Sequence, residues 1–392
     1  MAAAQVLTRG GYVPLMTRRS AIATLAGAGI MPALRTATAA PAPWRTATPA
    51  ETGLTPDLAD KLDAGFRSGL LGGLHAVLVS RNERLVLERY YPGADQDWGN
   101  PLGIVNFGPG TLHDMRSVTK SVVGLLYGIA LDRGLVPPPT APLLANFPEY
   151  PDLAADPARA KLIVANALNM TMGLAWNENL SYADPANSER AMEDAPDRNR
   201  YILEQPIVAA PGTRWIYCGG APALLGALIA RGAHTTLQAF ARQALFEPLG
   251  ITAFQWAEGR DGVASAASGL RLRPRDLLRI GALVLANGEW NHRQIVSGAW
   301  LDASFKPVIA TTGNLTGIEY GRQWYLGEAP APALPTPHRW IAGFGNGGQR
   351  LWLMPDARLA VAILCGNYNR PDQWMTPLRV WKEIVLANLR RV

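Results

Sequence analysis

Residues 115–130 read MRSVTKSVVGLLYGIA, in which a serine and a lysine stand three positions apart ahead of an apolar run. The run predicts a buried helix that begins close to Ser117, and residues i and i+3 share a helix face, so the Ser117 hydroxyl and the Lys120 amine can touch. Unpaired N–H groups at a helix start favour developing negative charge, and a desolvated lysine can take the proton of such a serine. The plainer interpretation is a helix N-cap followed by a solvent-exposed lysine.

Composition places the chain among large globular proteins. It has 392 residues, of which 48% are hydrophobic and 17% charged, enough for one large domain or two closely packed ones. Four of the positive charges lie in the first 40 residues, so the remainder is close to neutral despite a net charge of +6. No basic run is interleaved with aromatic residues, and nucleic-acid binding is therefore not expected.

The first 40 residues resemble a twin-arginine signal peptide. Arg18 and Arg19 precede a Gly/Ala-rich apolar segment at 21–34, and Ala37-Thr38-Ala39 offers a cleavage site. We expect export to the periplasm or the medium, with a Pro-rich linker at 41–54; Met16 is an alternative start, and a disordered N-terminus of a cytoplasmic protein is the other interpretation. No stretch is long enough to predict stable membrane insertion of the mature protein.

Cysteine and histidine patterns give little support to a metal site. The five histidines are scattered, and neither H-E-x-x-H nor C-x-x-C occurs, so we expect no metal and no cofactor. Cys218 and Cys365 lie in buried-looking surroundings, which favours two free thiols, although an exported protein could pair them.

The order of elements predicts an α+β fold for residues 55–392. Two β-rich runs at 75–81 and 84–90 form a hairpin, and later runs read as further strands. The expected architecture is an antiparallel sheet flanked by helices, with a helical subdomain inserted between the early and late strands at about 125–310. The late strands are predicted at 321–326, 340–345, 349–354 and 358–365, and terminal helices at 56–68 and 372–389.

The chain resembles the penicillin-recognising serine hydrolases over about residues 52–390. The resemblance is to the side of that superfamily that includes class C β-lactamases, D-alanyl-D-alanine carboxypeptidases and family VIII carboxylesterases, and it is strongest to the 6-aminohexanoate-dimer hydrolases. It rests on the order and spacing of five motifs. These are SVTK at 117–120, NMTMGL at 169–174, Tyr217-Cys218, SGLRLRPRD at 268–276 and GNGGQ at 345–349.

The resemblance implies roles for four residues. Ser117 would be the acylated nucleophile, Lys120 its base and Tyr217 the tyrosine that relays a proton to the leaving group. A phenol beside an ammonium is expected to shift towards phenolate, although a tyrosine in a Trp-Ile-Tyr run is commonly a core residue. The oxyanion hole would consist of the backbone N–H groups of Ser117 and Asn346.

The sequence departs from the family pattern at two places. Gly219 replaces the asparagine that follows the tyrosine by two positions, and Gly343-Phe344-Gly345 replaces the Lys-Thr-Gly strand motif. We therefore expect no cation near that strand to hold the carboxylate of a β-lactam or peptide. The three residues are still predicted to line the substrate site.

Two aromatic residues are further candidates for substrate contact. Tyr182 stands in an acidic loop that resembles the dimer-hydrolase loop whose tyrosine covers the scissile amide; an exposed loop tyrosine is the alternative. Trp176 could contribute to an apolar acyl pocket or belong to the core.

The leading hypothesis is a serine hydrolase that cleaves small esters or linear amides through an acyl-enzyme on Ser117. One alternative is a β-lactamase or D-alanyl-D-alanine carboxypeptidase, and another is a catalytically inactive binding module. G-x-S-x-G is absent, which disfavours an α/β-hydrolase. The sequence carries no indication of the natural substrate or of the oligomeric state.

Overall fold

A computed structural model of the protein describes residues 44–331, 334 and 337–390. The predicted signal peptide at residues 1–40 lies outside the described residues, and so does the start of the predicted linker.

Helices and strands alternate irregularly along the chain. The helices are α1 (Leu58–Arg67), α2 (Val118–Asp132), α3 (Pro151–Ala154), α4 (Val164–Leu168), α5 (Ser188–Asp194), α6 (Arg198–Glu204), α7 (Gly220–Gly232), α8 (Leu237–Ala241), α9 (Pro274–Leu285), α10 (Gly298–Ser304) and α11 (Met375–Arg379). The strands are β1 (Leu74–Arg81), β2 (Arg84–Tyr90), β3 (Gly93–Asp97), β4 (Asn100–Val105), β5 (His113–Asp114), β6 (Phe254–Trp256), β7 (Leu270–Leu272), β8 (Glu289–Trp290), β9 (Arg293–Gln294), β10 (Ile309–Ala310), β11 (Glu319–Gly321), β12 (Trp324–Ala329), β13 (His338–Gly345), β14 (Gln349–Met354) and β15 (Leu359–Cys365).

Eight strands form one antiparallel sheet in the order β10-β11-β12-β13-β14-β15-β1-β2. The N-terminal hairpin therefore joins strands from the end of the chain, and most of the helices lie between them in sequence. The predicted class, an antiparallel sheet flanked by helices, is confirmed.

Alternating side chains of the sheet meet helices on its two faces. Leu351 and Leu353 of β14 pack against Gly281 of α9, where an added Cβ would lie 3.0 Å and 2.9 Å from their methyl groups. Trp352, between them, points to the opposite face and stacks on Trp381 with ring centroids 5.3 Å apart. This alternation follows from the two-residue period of a strand.

Helix α2 lies on the same face as α9 and is buried almost throughout. Residues 118–130 are all buried, as expected for a helix that is apolar on every side. Ser117 occupies its N-cap position, and the chain leaves the helix through Gly134, whose φ of 68° suits a residue without a side chain. The packing of α2 under the sheet fixes the direction in which its first turn points.

The local structure differs from the sequence-based expectations at three places. The strands β3 and β4 were not predicted, because β4 is mostly exposed and shows no apolar alternation. Residues 44–54, expected to be linker, pack on the domain instead: Thr46 bridges to Leu85, and buried Leu54 bridges to Leu389. The single C-terminal helix expected at 372–389 begins at Met375 and continues as a π-helical and a 3-10 turn up to residue 388.

Among the described helices, none has the length and apolar content needed to cross a membrane.

Candidate active site

Ser117 and Lys120 are in direct contact at the start of α2. The Lys120 Nζ lies 3.0 Å from the Ser117 Oγ and donates a second hydrogen bond, of 2.9 Å, to the carbonyl of Ala267. Lys120 is 1% exposed, whereas Ser117 is half-buried and faces the site opening. Lys120 is therefore buried and contacts a serine hydroxyl and a fixed carbonyl. The plainer interpretation, a solvent-exposed lysine, is wrong.

Tyr217 completes a compact group with these two side chains. Its ring centroid lies 4.8 Å from the Lys120 Nζ, and the hydroxyls of Ser117 and Tyr325 lie near its own. Burial raises the pKa of Tyr217 well above its ordinary value. The expected shift towards phenolate is therefore wrong, and Tyr217 is a neutral phenol in this site.

The strand β13 runs past the nucleophile, as the motif alignment predicted. A Cβ added to Gly343 would lie 3.1 Å from side-chain atoms of α2, and one added to Gly345 would lie 2.5 Å from the carbonyl oxygen of Met115. The close approach at Gly345 excludes any side chain there. Asn346 follows this contact directly, and its side chain is bonded to Asn369, which leaves its backbone as the group offered to the site.

Phe344 belongs to an aromatic cluster and covers a buried cation. Its ring stacks on Tyr325 at 4.5 Å, and the Arg350 guanidinium lies 4.6 Å from its centroid. Arg350 reaches this point because it pairs with Phe344 across β13 and β14, and it bonds the carbonyl of Gly345 at 2.9 Å. The neighbouring strand thus places a cation close to β13, but its guanidinium is engaged by the Phe344 ring and by backbone carbonyls. The expectation that no cation here holds a substrate carboxylate stays a prediction.

The predicted loop residues lie beside the catalytic group. The Tyr182 hydroxyl donates to Glu189 Oε2 at 2.8 Å, and the Trp176 indole donates to Glu178 Oε1. Trp176 also contacts the Tyr201 ring edge-on, with centroids 6.1 Å apart. Both side chains are half-buried, so neither is a freely exposed loop residue.

A cavity of 720 Å³ opens next to this group. Trp98, Arg116, Tyr182, Glu189 and Ser268 are among its lining residues. Tyr182 is the one predicted substrate-binding residue on its wall, and Ser117 itself lies beyond the lining, next to Arg116. The cavity is lined by acidic and basic side chains as well as aromatic ones, which suits a small polar molecule.

Arg116 holds the backbone of the nucleophile turn in a left-handed conformation with a φ of 48°. Its guanidinium lies 3.0 Å from Asp114 and 5.2 Å from the Tyr368 ring centroid. A positive φ is uncommon for a bulky residue and persists where surrounding contacts fix it. These contacts with Asp114 and Tyr368 fix the position of the turn before Ser117.

Among the described residues, His75, Asp95 and His113 form a buried group with the donor types of a metal site. Hydrogen bonds already occupy three of the ring nitrogens in this group. His75 Nδ1 and His113 Nε2 are 2.9 Å apart, and His113 Nδ1 lies 3.0 Å from the Asp114 carbonyl. Burial lowers the pKa of both histidines to about 3, so both are neutral. We assign this group to the support of β5, which leads into the nucleophile turn.

Cys218 and Cys365 are free, buried thiols. The structure thus decides between the two interpretations that the sequence left open.

Several groups of the site were not predicted. The Ala267 carbonyl has no sequence signal of its own, although it immediately precedes the SGLRLRPRD motif. Glu178 and Glu189 were passed over because the acidic loop suggested a solvated connection. Their proximity depends on the loop folding back, which spacing along the chain does not reveal.

Comparison with known proteins identifies a family and relatives to which the chain is similar. The Beta-lactamase family profile matches residues 63–374. The 6-aminohexanoate-dimer hydrolase of Paenarthrobacter ureafaciens is 24% identical over 325 residues, which cover 76% of this chain and 73% of that protein.

Solved structures show the same fold. EstCE1, described as a hydrolase with promiscuous acyltransferase activity, superposes with a TM-score of 0.65 at 15% identity and covers 83% of this chain and 98% of its own. A penicillin-binding protein homologue from Caulobacter crescentus gives a TM-score of 0.62 at 18% identity, covering 83% of this chain and 97% of its own.

Proposed function

The chain belongs to the Beta-lactamase family and is a hydrolase, and we propose that it cleaves small esters or linear amides through an acyl-enzyme on Ser117. The observation that carries the proposal is the 3.0 Å contact between the Lys120 Nζ and the Ser117 Oγ, at the buried start of a helix.

In the proposed acylation, Lys120 in its free-amine form takes the Ser117 proton while the Oγ attacks the substrate carbonyl. The carbonyl of Ala267 accepts an N–H of Lys120 and so orients the amine towards the serine. The developing oxyanion is met by the backbone N–H groups of Ser117 and Asn346. Each such donor is typically worth about 3 kcal/mol of transition-state stabilisation.

Tyr217 is proposed to relay the proton to the leaving group. As a neutral phenol next to Ser117 and Lys120, it can donate its own proton to the departing oxygen or nitrogen and recover one from Lys120. The same path, run in reverse with water, hydrolyses the acyl-enzyme.

The substrate class is inferred from the surroundings of this machinery. Arg350 packs on the Phe344 ring and bonds to backbone carbonyls, so its guanidinium is not free to hold a substrate carboxylate. The dimer hydrolase named above acts, by its name, on a linear aminohexanoate dimer, which favours small linear amides as well as esters for this chain.

The direct test is acylation. We expect a fluorophosphonate or a slow nitrophenyl ester to add one acyl or phosphonyl group, visible in the intact mass and mapped by peptide analysis to Ser117. The Ser117→Ala variant should stay folded, remain unlabelled and turn over no ester. Ser68→Ala, which removes the hydroxyl of an exposed serine at the end of α1, is the matched control. Labelling of another residue would contradict the mechanism, and an unlabelled wild-type chain would indicate an inactive binding module.

A further inference from the structure

Two acidic side chains meet behind the catalytic group. Glu189, in the first turn of α5, is 1% exposed and accepts hydrogen bonds from the hydroxyls of Tyr182 and Ser268. Glu178, from the loop before α5, accepts through Oε1 from the Trp176 indole and from the Gly219 backbone N–H. Both side chains flank Gly219, where an added Cβ would lie 2.8 Å from Glu178 Oε1 and 3.4 Å from Glu189 Cγ. Two carboxylates this close repel each other, so such a pair keeps one proton between them.

The hydrogen bonds indicate which carboxyl holds that proton. Both Glu189 oxygens are acceptors of hydroxyl donors, as in an ionised carboxylate. The Glu178 Oε2 is buried, and no donor in the described part of the chain reaches it. A buried acceptor without a donor is costly, whereas a hydroxyl at Oε2 directed to Glu189 removes the cost.

The electrostatic surroundings agree with this assignment. Burial, together with the neighbouring Glu189 carboxylate, raises the pKa of Glu178 to about 8. Although burial also acts on Glu189, the Lys120 ammonium and the hydrogen bonds from Ser268 and Tyr182 hold the pKa of Glu189 below its ordinary range.

Glu178 occupies space that a glycine leaves open. A Cβ on Gly219 would lie 2.8 Å from Glu178 Oε1, so the carboxyl packs against the backbone two residues after Tyr217. Glu178 thereby ties the start of the loop at 177–187 to the segment that carries Tyr217. Glu189 holds the same loop at Tyr182.

We propose that Glu178 is a positioning residue that acts as a neutral carboxylic acid, donating to Glu189 and fastening the Tyr182 loop to the backbone of Gly219. The proposal deepens the proposed function, because the loop it fastens borders the Ser117–Lys120–Tyr217 group. When the proton leaves in alkaline solution, two adjacent carboxylates repel and the loop is released. The titratable groups that face Glu178 are Lys120 from α2, Glu189 from α5, Tyr217 and Cys218 from the segment before α7, Tyr320 from β11, Tyr325 from β12, and Tyr182 from its own loop.

The sharpest test compares two amide substitutions. In Glu178→Gln the amide oxygen can accept from Gly219 and Trp176 while the amide N–H donates to Glu189, so the bonding is reproduced without a titratable proton. In Glu189→Gln one oxygen must serve the donors that two oxygens served. We expect wild-type ester hydrolysis to fall above pH about 8, a limb that E178Q loses. E189Q and Glu178→Ala should lower kcat/KM by at least about tenfold through misplacement of the loop.

A reversed pattern, in which E189Q retains activity and E178Q does not, would place the proton on Glu189 and overturn the assignment. Persistence of the alkaline limb in E178Q would do the same.

A readout without turnover separates this proposal from the proposed function. Unfolded Glu178 ionises near its ordinary pKa of 4.5, whereas the folded residue keeps its proton to about 8. Wild type therefore loses stability relative to E178Q as pH rises between these values, and the difference is constant above them. The C=O stretching band of a neutral carboxylic acid should also be present in the infrared spectrum of wild type at neutral pH and missing in E178Q. Both results hold whether or not Ser117 is acylated, and their absence would refute the neutral acid alone.

Discussion

The Ala267 carbonyl accepts a hydrogen bond of 2.9 Å from the Lys120 Nζ across 147 positions of the chain. A backbone acceptor cannot be removed by side-chain substitution, and it leaves the lysine little freedom to turn away from Ser117. The bond also orients the amine towards the serine, so the fold itself maintains the contact with the nucleophile.

Lys120→Met tests this relationship, because methionine keeps the apolar stem and removes the amine. We expect kcat/KM for nitrophenyl butyrate to fall by about 100-fold to 10,000-fold, the usual range for loss of a general base. Stability should fall by about 1–3 kcal/mol, since the buried Ala267 carbonyl loses its donor. Steady-state kinetics and thermal melts measure the two effects. Lys161→Met, at an exposed lysine, is the control, and an active K120M enzyme would exclude Lys120 as the base.

Tyr182→Phe should separate amides from esters. The Tyr182 hydroxyl donates its proton to Glu189 at the edge of the cavity, so its oxygen is left to accept a hydrogen bond from a substrate. The N–H of a scissile amide can supply that bond, whereas a nitrophenyl ester has no N–H, so we expect kcat/KM for a linear aminohexanoate dimer to fall by roughly tenfold or more while the ester rate changes little. Equal losses on both substrates would show that the tyrosine acts only on the shape of the loop. Tyr201→Phe serves as the matched control.

Nitrophenyl butyrate should be a better substrate than a chromogenic cephalosporin by at least about 100-fold in kcat/KM, a difference of roughly 2.7 kcal/mol. The physical reason is the cost of burying an unpaired carboxylate against Phe344, with Arg350 covered by that ring and bonded to backbone carbonyls. Efficient cephalosporin hydrolysis would mean that Phe344 moves aside and Arg350 meets the carboxylate, which Phe344→Ala would then enhance.

Export remains a prediction from the sequence. We expect mature protein in the native host to begin near Ala40, and replacement of Arg18 and Arg19 by lysine to leave the precursor in the cytoplasm. N-terminal sequencing of periplasmic and cytoplasmic fractions measures this. An unprocessed N-terminus in active native enzyme would count against a signal peptide.

The parts of the site that follow from local spacing were accessible from the sequence. Ser117 and Lys120 meet because side chains three positions apart on a helix lie on one face. The apolar run after them indicates that this helix is buried. Tyr217 was identified through its motif context and not through any property of the residue alone. Its protonation state was predicted wrongly, because the rise in the pKa of Tyr217 comes mainly from burial, which depends on the tertiary structure.

Parts of the fold that depend on contacts between distant segments were harder to predict. Arg350 reaches Phe344 only through the register of β13 and β14, and a shift of one residue would turn it to the other face. The β3–β4 hairpin shows little apolar patterning because it is largely exposed. In contrast, β1, β14 and β15 are fully buried and rich in apolar residues, and their predicted boundaries agree with the structure to within a residue.

The pairing of β1 with β15 has a consequence for how the chain is made. Val79 lies opposite Val361, so the first strand cannot be paired on that side until nearly all of the chain has left the ribosome. Contacts between such distant segments close slowly, and until then the apolar edge of β1 is open to other chains. A chain that stops before Leu359 leaves the edges of both β1 and β14 unpaired, and we expect it to aggregate instead of forming a smaller folded enzyme.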